Sequence, residues 1–190
     1  MRTGFRLILL VLASVICVNK SIAQNKNASI ILGGAATQIH GDGIAGYNKF
    51  GLEFGVSVQS PITEKIIFQP ELLYFQKGSR SRADSPYLIK FKLNYLELPM
   101  LLGYEINENI QLQGGPSFGY FLNGSVYSGG LSSSVTGKIN KVDLSFMLGG
   151  SYRFLANTSI KVRYSISVLP IGKTGNLVND TASFLLIFHI

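Results

Sequence analysis

His40 and His189 are the only imidazoles in this 190-residue chain, and His40 stands two residues before Asp42 in the stretch I-H-G-D-G. A histidine beside an aspartate is the general-base half of a hydrolytic site. The other half is a hydroxyl nucleophile in hydrogen-bond reach of the imidazole. No serine has the sequence context for that role, so no catalytic residue is assigned and a surface lipid-modifying enzyme is a minor reading. His189 is expected at a lumen or rim position. The acids are too dispersed for a calcium loop, and no cysteine–histidine cluster has zinc-ligand spacing. The pairs Gly33-Gly34, Gly114-Gly115 and Gly149-Gly150 precede no helix, so they are not phosphate cradles; strand bends, bulges or tight packing are expected there. No cofactor is expected.

The remaining charges follow a simpler rule. Glu53, Glu71, Glu97, Asp143, Arg153, Lys161 and Arg163 all occupy odd positions within stretches whose even positions are apolar. In Phe50 to Gln59, FGLEFGVSVQ, the even row is Phe50, Leu52, Phe54, Val56 and Val58, and the odd row carries Glu53, Ser57 and Gln59. Period two places one row on each face of a strand. The same pattern runs through Ile110 to Asn123, Val142 to Phe154 and Ser159 to Val168, with no sustained helical period after Ala28. These seven charges are expected to share one interior and pair across it, with arginine forks favoured for bidentate contacts. A proton or ion path is the functional counter-reading.

Alternation does not say which row is wet. A soluble barrel hides its apolar row, as in a secreted lipocalin-like binder, whereas a membrane barrel shows it to lipid and keeps polar groups in the lumen. Three features favour the second arrangement. Charged residues make up only 14% of the chain, against about 25% in soluble domains. The connections alternate, with long ones at Gly41 to Lys49, Ser79 to Leu88, Gly124 to Lys138 and Pro170 to Asp180, and brief links such as SPITEK, NENI and LANT between them. Aromatics gather at strand ends: Tyr47, Phe50, Tyr74, Phe75, Tyr87, Tyr120, Phe121 and Tyr127 near the long loops, and Phe68, Tyr104, Tyr152, Phe154 and Phe188 near the short turns.

The N-terminus reads as a cleavable signal peptide over residues 1–23. Arg2 and Arg6 precede an apolar run from Leu7 to Val18, and Ser21-Ile22-Ala23 supplies the small-residue cleavage pattern. The run is shorter than the roughly 20 residues of a spanning helix. Cleavage removes the one cysteine, Cys17, and leaves 14 basic residues against 10 acidic ones. That balance is too mild for nucleic acid, and the cluster from Lys77 to Arg82 is expected to be a solvated loop. Residues 24–190 then form an all-β, single eight-stranded antiparallel up-and-down transmembrane β-barrel. Both termini fall on the short-turn side, which would be periplasmic.

The stretch YLELPMLLGYEI tests the scheme, because Glu97 and Pro99 interrupt the most apolar part of the chain. On the even-outward rule, Leu96, Leu98, Met100, Leu102 and Tyr104 face lipid and Glu97 enters the lumen. Lys90, Lys92 and Asn94 break that phase, so a bulge near Asn94 or a segment above the membrane is expected. Pro70, Pro99 and Pro116 each remove a ladder donor in what should be a closed sheet, and bulges on adjacent strands are expected around them.

The motif Tyr95-Leu96-Glu97-Leu98-Pro99, followed by an apolar run, a short turn and IQLQGGPSFGY, resembles the signature hairpin of the PorT-like outer-membrane β-barrel family of Bacteroidetes. A looser similarity covers most of the mature chain. The resemblance implies a small barrel in the outer membrane without assigned activity, in contact with outer-membrane lipid and with the barrel-insertion machinery. Many such barrels end on an aromatic, whereas this chain ends Phe188-His189-Ile190. The function expected is a structural scaffold with a plugged, non-conducting lumen and surface loops open to a ligand or an envelope protein. An accessory role in a secretion or assembly complex is the alternative that the family's namesake allows.

Overall fold

The computed structural model describes residues 27–82, 84, 85 and 88–190; the signal peptide, Cys17 and Tyr87 lie outside the described residues. The alternating stretches are nine strands: β1 (Asn27–His40), β2 (Lys49–Pro61), β3 (Ile66–Lys77), β4 (Ile89–Glu105), β5 (Ile110–Ser128), β6 (Leu131–Ser134), β7 (Val142–Leu155), β8 (Thr158–Ser167) and β9 (Val178–His189). Eight of them close a barrel. Each pairs antiparallel with its neighbour, β5 pairs with β7 past β6, and β9 returns to β1 with Ser29 opposite His189. Closure leaves no sheet edge, which is the condition for crossing hydrocarbon with strands. Among the described residues no helix is long and apolar enough to cross a membrane.

The alternation has the predicted sense. Even-numbered side chains such as Leu52, Phe54, Val56, Leu98, Leu102, Val162 and Phe184 are exposed on the outer wall, while Glu53, Glu71, Glu97, Asp143, Lys161 and Arg163 are buried inside. An apolar outer wall around a charged interior is the inverse of a soluble barrel. Phe75 and Phe121, expected in an aromatic girdle, are instead fully buried. Both sit at odd positions, and the pleat turns them inward whatever their chemistry.

The connections differ from expectation at the long-loop end. β5 runs on to Ser128 and folds back through Gly129-Gly130 into β6, so part of the expected loop at Gly124 to Lys138 is a hairpin. The bulge near Asn94 is present: Asn94 pairs with Asn123 but Tyr95 pairs with Phe121, which leaves Leu122 as the extra residue on β5. The prolines behave otherwise. The β3–β4 ladder lapses between Pro70↔Met100 and Leu73↔Glu97, and the β4–β5 ladder between Pro99↔Ser117 and Leu102↔Gly114. Pairing resumes in the same register on the far side of each lapse. These are missing ladder bonds, not the bulges expected, as follows from a residue with no N–H to donate.

Inward glycines let neighbouring strands approach. A Cβ on Gly55 would lie 2.0 Å from the Leu72 carbonyl oxygen, and one on Gly115 would lie 2.2 Å from that of Met100. The obstacle is backbone in both cases, so only separation of the strands relieves it. Gly55→Ala is expected to destabilise the barrel by about 1–3 kcal/mol, read as a lower urea midpoint for loss of the compact band on unboiled gels. An unchanged midpoint would mean that the sheet flexes there at no cost.

Candidate functional site

The lumen is built in layers along the barrel axis. At the short-turn end, the Gln59 amide donates to Gln69 Oε1 (2.9 Å) and the Gln69 amide to Glu71 Oε1 (2.6 Å). Next comes the first charge cluster. Arg163 Nη1 lies 3.1 Å from Glu53 Oε1, Arg163 Nη2 lies 2.6 Å from Glu71 Oε2, and Lys161 Nζ lies 3.0 Å from Glu71 Oε1. Lys161 also donates to Gln113 Oε1 at 3.0 Å. One arginine therefore spans two carboxylates, as its planar fork allows and an ammonium would not.

A second cluster follows toward the long loops. Lys77 forms ion pairs with Glu97 and, at 3.2 Å, with Asp143, whose Oδ2 also accepts from the Asn179 amide at 3.0 Å. The ammonium stands 5.2 Å from the Phe75 ring centroid and 5.3 Å from that of Tyr95. Every charged member of both clusters is buried. Taking such groups out of water is costly, and mutual pairing is what offsets the cost.

Six of the seven predicted lumen charges thus meet, and Arg153 does not join them. It is half-buried at the short-turn rim and has no ion pair among the described residues. Its place is the strand end, where pairing with β8 shifts register between Arg153 and Leu155. Lys77 is the residue that sequence reasoning missed. The sequence pattern puts it at the start of a solvated loop, yet it closes β3 at 1% exposure. The available signal was its odd number, which continues the inward row of Glu71, Leu73 and Phe75.

Beyond the second cluster, two long connections fold over the mouth. Val135 and Ile139 from one and Ile171 from the other pack on Ile39, Leu93, Tyr95 and Phe121. The connections are bonded to each other: Asn140 N–H donates to the Ile171 carbonyl (2.7 Å), Lys173 N–H to that of Lys138 (3.0 Å), and Ile139 bridges Gly172. These segments form a cap where open loops were expected. At the opposite mouth the space between Gln59, Gln111, Lys161 and His189 is about 20 Å³, room for about one water.

The two histidines are held at opposite rims. His189 shares hydrogen bonds with the hydroxyls of Ser29 (3.0 Å) and Ser159 (2.8 Å) at the short-turn rim. His40 Nε2 is 2.8 Å from Asp180 Oδ2, not paired with Asp42. Asp42 instead accepts from the Ser79 hydroxyl and, at 2.8 Å, from the Ile44 N–H. The Tyr47 phenol, in the loop after β1, is pushed above its ordinary pKa by burial and then by its hydrogen bond to Asp180. Among the described residues no side-chain hydroxyl hydrogen-bonds the His40 ring, so His40 and Asp180 stand without a nucleophile beside them; the imidazole with hydroxyl neighbours is His189, at the other rim. Nor, among them, does any group of three or more His, Cys, Asp or Glu stand ready to hold a metal ion.

A closed eight-stranded barrel with an apolar outer wall and an ion-paired interior is the architecture of an outer-membrane β-barrel. The sequence profile of the outer membrane protein beta-barrel domain matches residues 18–171, and the chain belongs to that family. A comparison with curated proteins gave no match. Among solved structures, the chain is similar to Ail, the attachment invasion locus protein of Yersinia pestis. That match has 19% identity and a TM-score of 0.55, over 87% of this chain and 99% of that one. Neisserial surface protein A is similar at 15% identity and a TM-score of 0.50, over 86% of this chain and 94% of that one. Identities this low speak for the shared fold alone.

Proposed function

We propose that this chain is an integral outer-membrane scaffold with a sealed, non-conducting lumen, which presents its long connections to a ligand or envelope partner. The observation that carries the reading is double closure: two ion-paired clusters fill the middle of the lumen, and an apolar cap covers one mouth. An eight-stranded barrel has an interior that side chains can fill, so no route for ions is left. In this reading the chain acts by binding rather than catalysis.

Residues 1–23 act as a signal peptide in this reading, and 24–190 as the barrel domain. The short turns and both termini face the periplasm, and the insertion machinery is the partner during assembly. The Tyr95 to Pro99 motif favours kinship with the PorT-like barrels of Bacteroidetes. An accessory role in secretion would use the same long-loop face, but a shared fold does not by itself carry that role over.

Recording from planar bilayers tests the seal. The purified barrel should insert and leave the current at baseline, as a lumen packed with paired side chains requires. Steady nanosiemens-scale steps would refute the plug and revive the ion path.

A further inference from the structure

Above the bulge at Asn94 the outer wall of the barrel changes character. Below it, Leu96, Leu98, Phe118 and Tyr120 form an exposed apolar belt. At the bulge the belt ends in amides: Gln76 donates to Asn94 Oδ1 (3.3 Å) and Asn94 to Asn123 Oδ1 (2.6 Å). Higher still, the register sets cations in one patch across adjacent strands. Lys92 pairs with Ser125, Lys90 pairs with Tyr127, and Arg80 bridges Lys90 from the far side.

Arg80, Lys90 and Tyr127 line a shallow recess of about 360 Å³ together with Leu88 and Ile89. Lys92 lies two residues from Lys90 and therefore on the same face. The contrast with the two lumen clusters is in pairing. Lys77, Lys161 and Arg163 all have carboxylate partners, whereas Arg80, Lys90 and Lys92 have no ion pair among the described residues.

Unpaired cations directly above an apolar belt stand where a bilayer places its phosphates. Tyrosine beside them is the usual anchor at that level, with its ring toward the chains and its hydroxyl toward the heads. The recess also combines charge with aliphatic lining from Leu88 and Ile89, which fits an amphiphile better than a soluble ion. We propose that Arg80, Lys90 and Lys92, with Tyr127, form a lateral binding site for the phosphorylated headgroup of a lipid in the leaflet at the long-loop end. The inference rests on the membrane reading above and adds a ligand class to it.

The test uses the full barrel in phosphatidylcholine nanodiscs doped with bis-phosphorylated lipid A, and counts by native mass spectrometry the lipid A that leaves with the protein. The wild type should retain it, and Arg80→Gln/Lys90→Gln/Lys92→Gln should retain about tenfold less. Lys65→Gln, in the short turn between β2 and β3, should match the wild type. Compact migration on unboiled gels shows that the triple variant is folded; were it not, the single Lys90→Gln and Lys92→Gln variants should each show a partial loss.

Dephosphorylated lipid A should not be retained, and free inorganic phosphate should not displace the phosphorylated form. Equal retention by the triple variant, equal retention of the dephosphorylated lipid, or displacement by free phosphate would each overturn the site. A chain that failed to co-float with lipid at all would instead overturn the membrane reading, whichever lipid was offered.

Discussion

Arg163→Met will cost the barrel about 3–5 kcal/mol, because it strips the cation from two buried carboxylates at once. Arg163 is within 3.1 Å of Glu53 and 2.6 Å of Glu71, and it is 1% exposed. Glu71 keeps Lys161 after the substitution, whereas no other ion pair holds Glu53 among the described residues. Methionine fills much of the volume, so the loss reports charge more than cavity. The double variant Arg163→Met/Glu53→Gln should recover part of it, since the stranded charge is gone and only polar bonds are missing. Urea unfolding of the reconstituted barrel, followed by circular dichroism, reads both values. A loss below about 1 kcal/mol for the single variant would mean that the lumen is wet enough to screen the pair, and the plug would lose its electrostatic basis.

Lys77→Met should cost a similar amount, about 3–5 kcal/mol, by leaving Glu97 and Asp143 together without their shared cation. Two carboxylates on one site repel as well as lacking a partner. Glu97→Gln keeps the shape and a hydrogen-bonding group while Asp143 retains Lys77, so it should cost less, about 1–3 kcal/mol. Removing both partners should be milder than the sum of the two losses, with a coupling of about 0.5–3 kcal/mol in a double-mutant cycle. If Lys77→Met behaved like a surface substitution, within about 0.5 kcal/mol, the solvated-loop reading of Lys77 would stand after all and the second cluster would not exist.

The two clusters bear on the outer surface as well. The two clusters hold their charges in pairs, and the cap over Ile39, Leu93 and Phe121 ties two long connections to the barrel wall. On the flank, Arg80, Lys90 and Lys92 have no ion pair among the described residues.

Much of this was legible in residue order. Alternation is a property of the extended chain itself: successive side chains point to opposite faces, so oddness placed Glu53, Glu97 and Arg163 on one side before any strand was paired. The charge deficit and the alternating long and short connections then chose which side met lipid. The polar residues Lys90, Lys92 and Asn94 did not mark a phase shift in their own strand: the extra residue of the bulge, Leu122, is on β5, and β4 keeps Leu93, Tyr95 and Glu97 inward throughout. Tertiary structure decided the rest. Arg163 and Glu53 are 110 residues apart, and Lys77 and Asp143 are 66 apart, so only the closure and stagger of the barrel bring them into contact. The same closure gave His40 to Asp180 in place of its sequence neighbour Asp42, drew Val135 and Ile171 over the mouth, and left Arg153 at the rim. Local pattern determines which way a side chain points, whereas the partner it meets depends on strand offsets that accumulate around the whole ring.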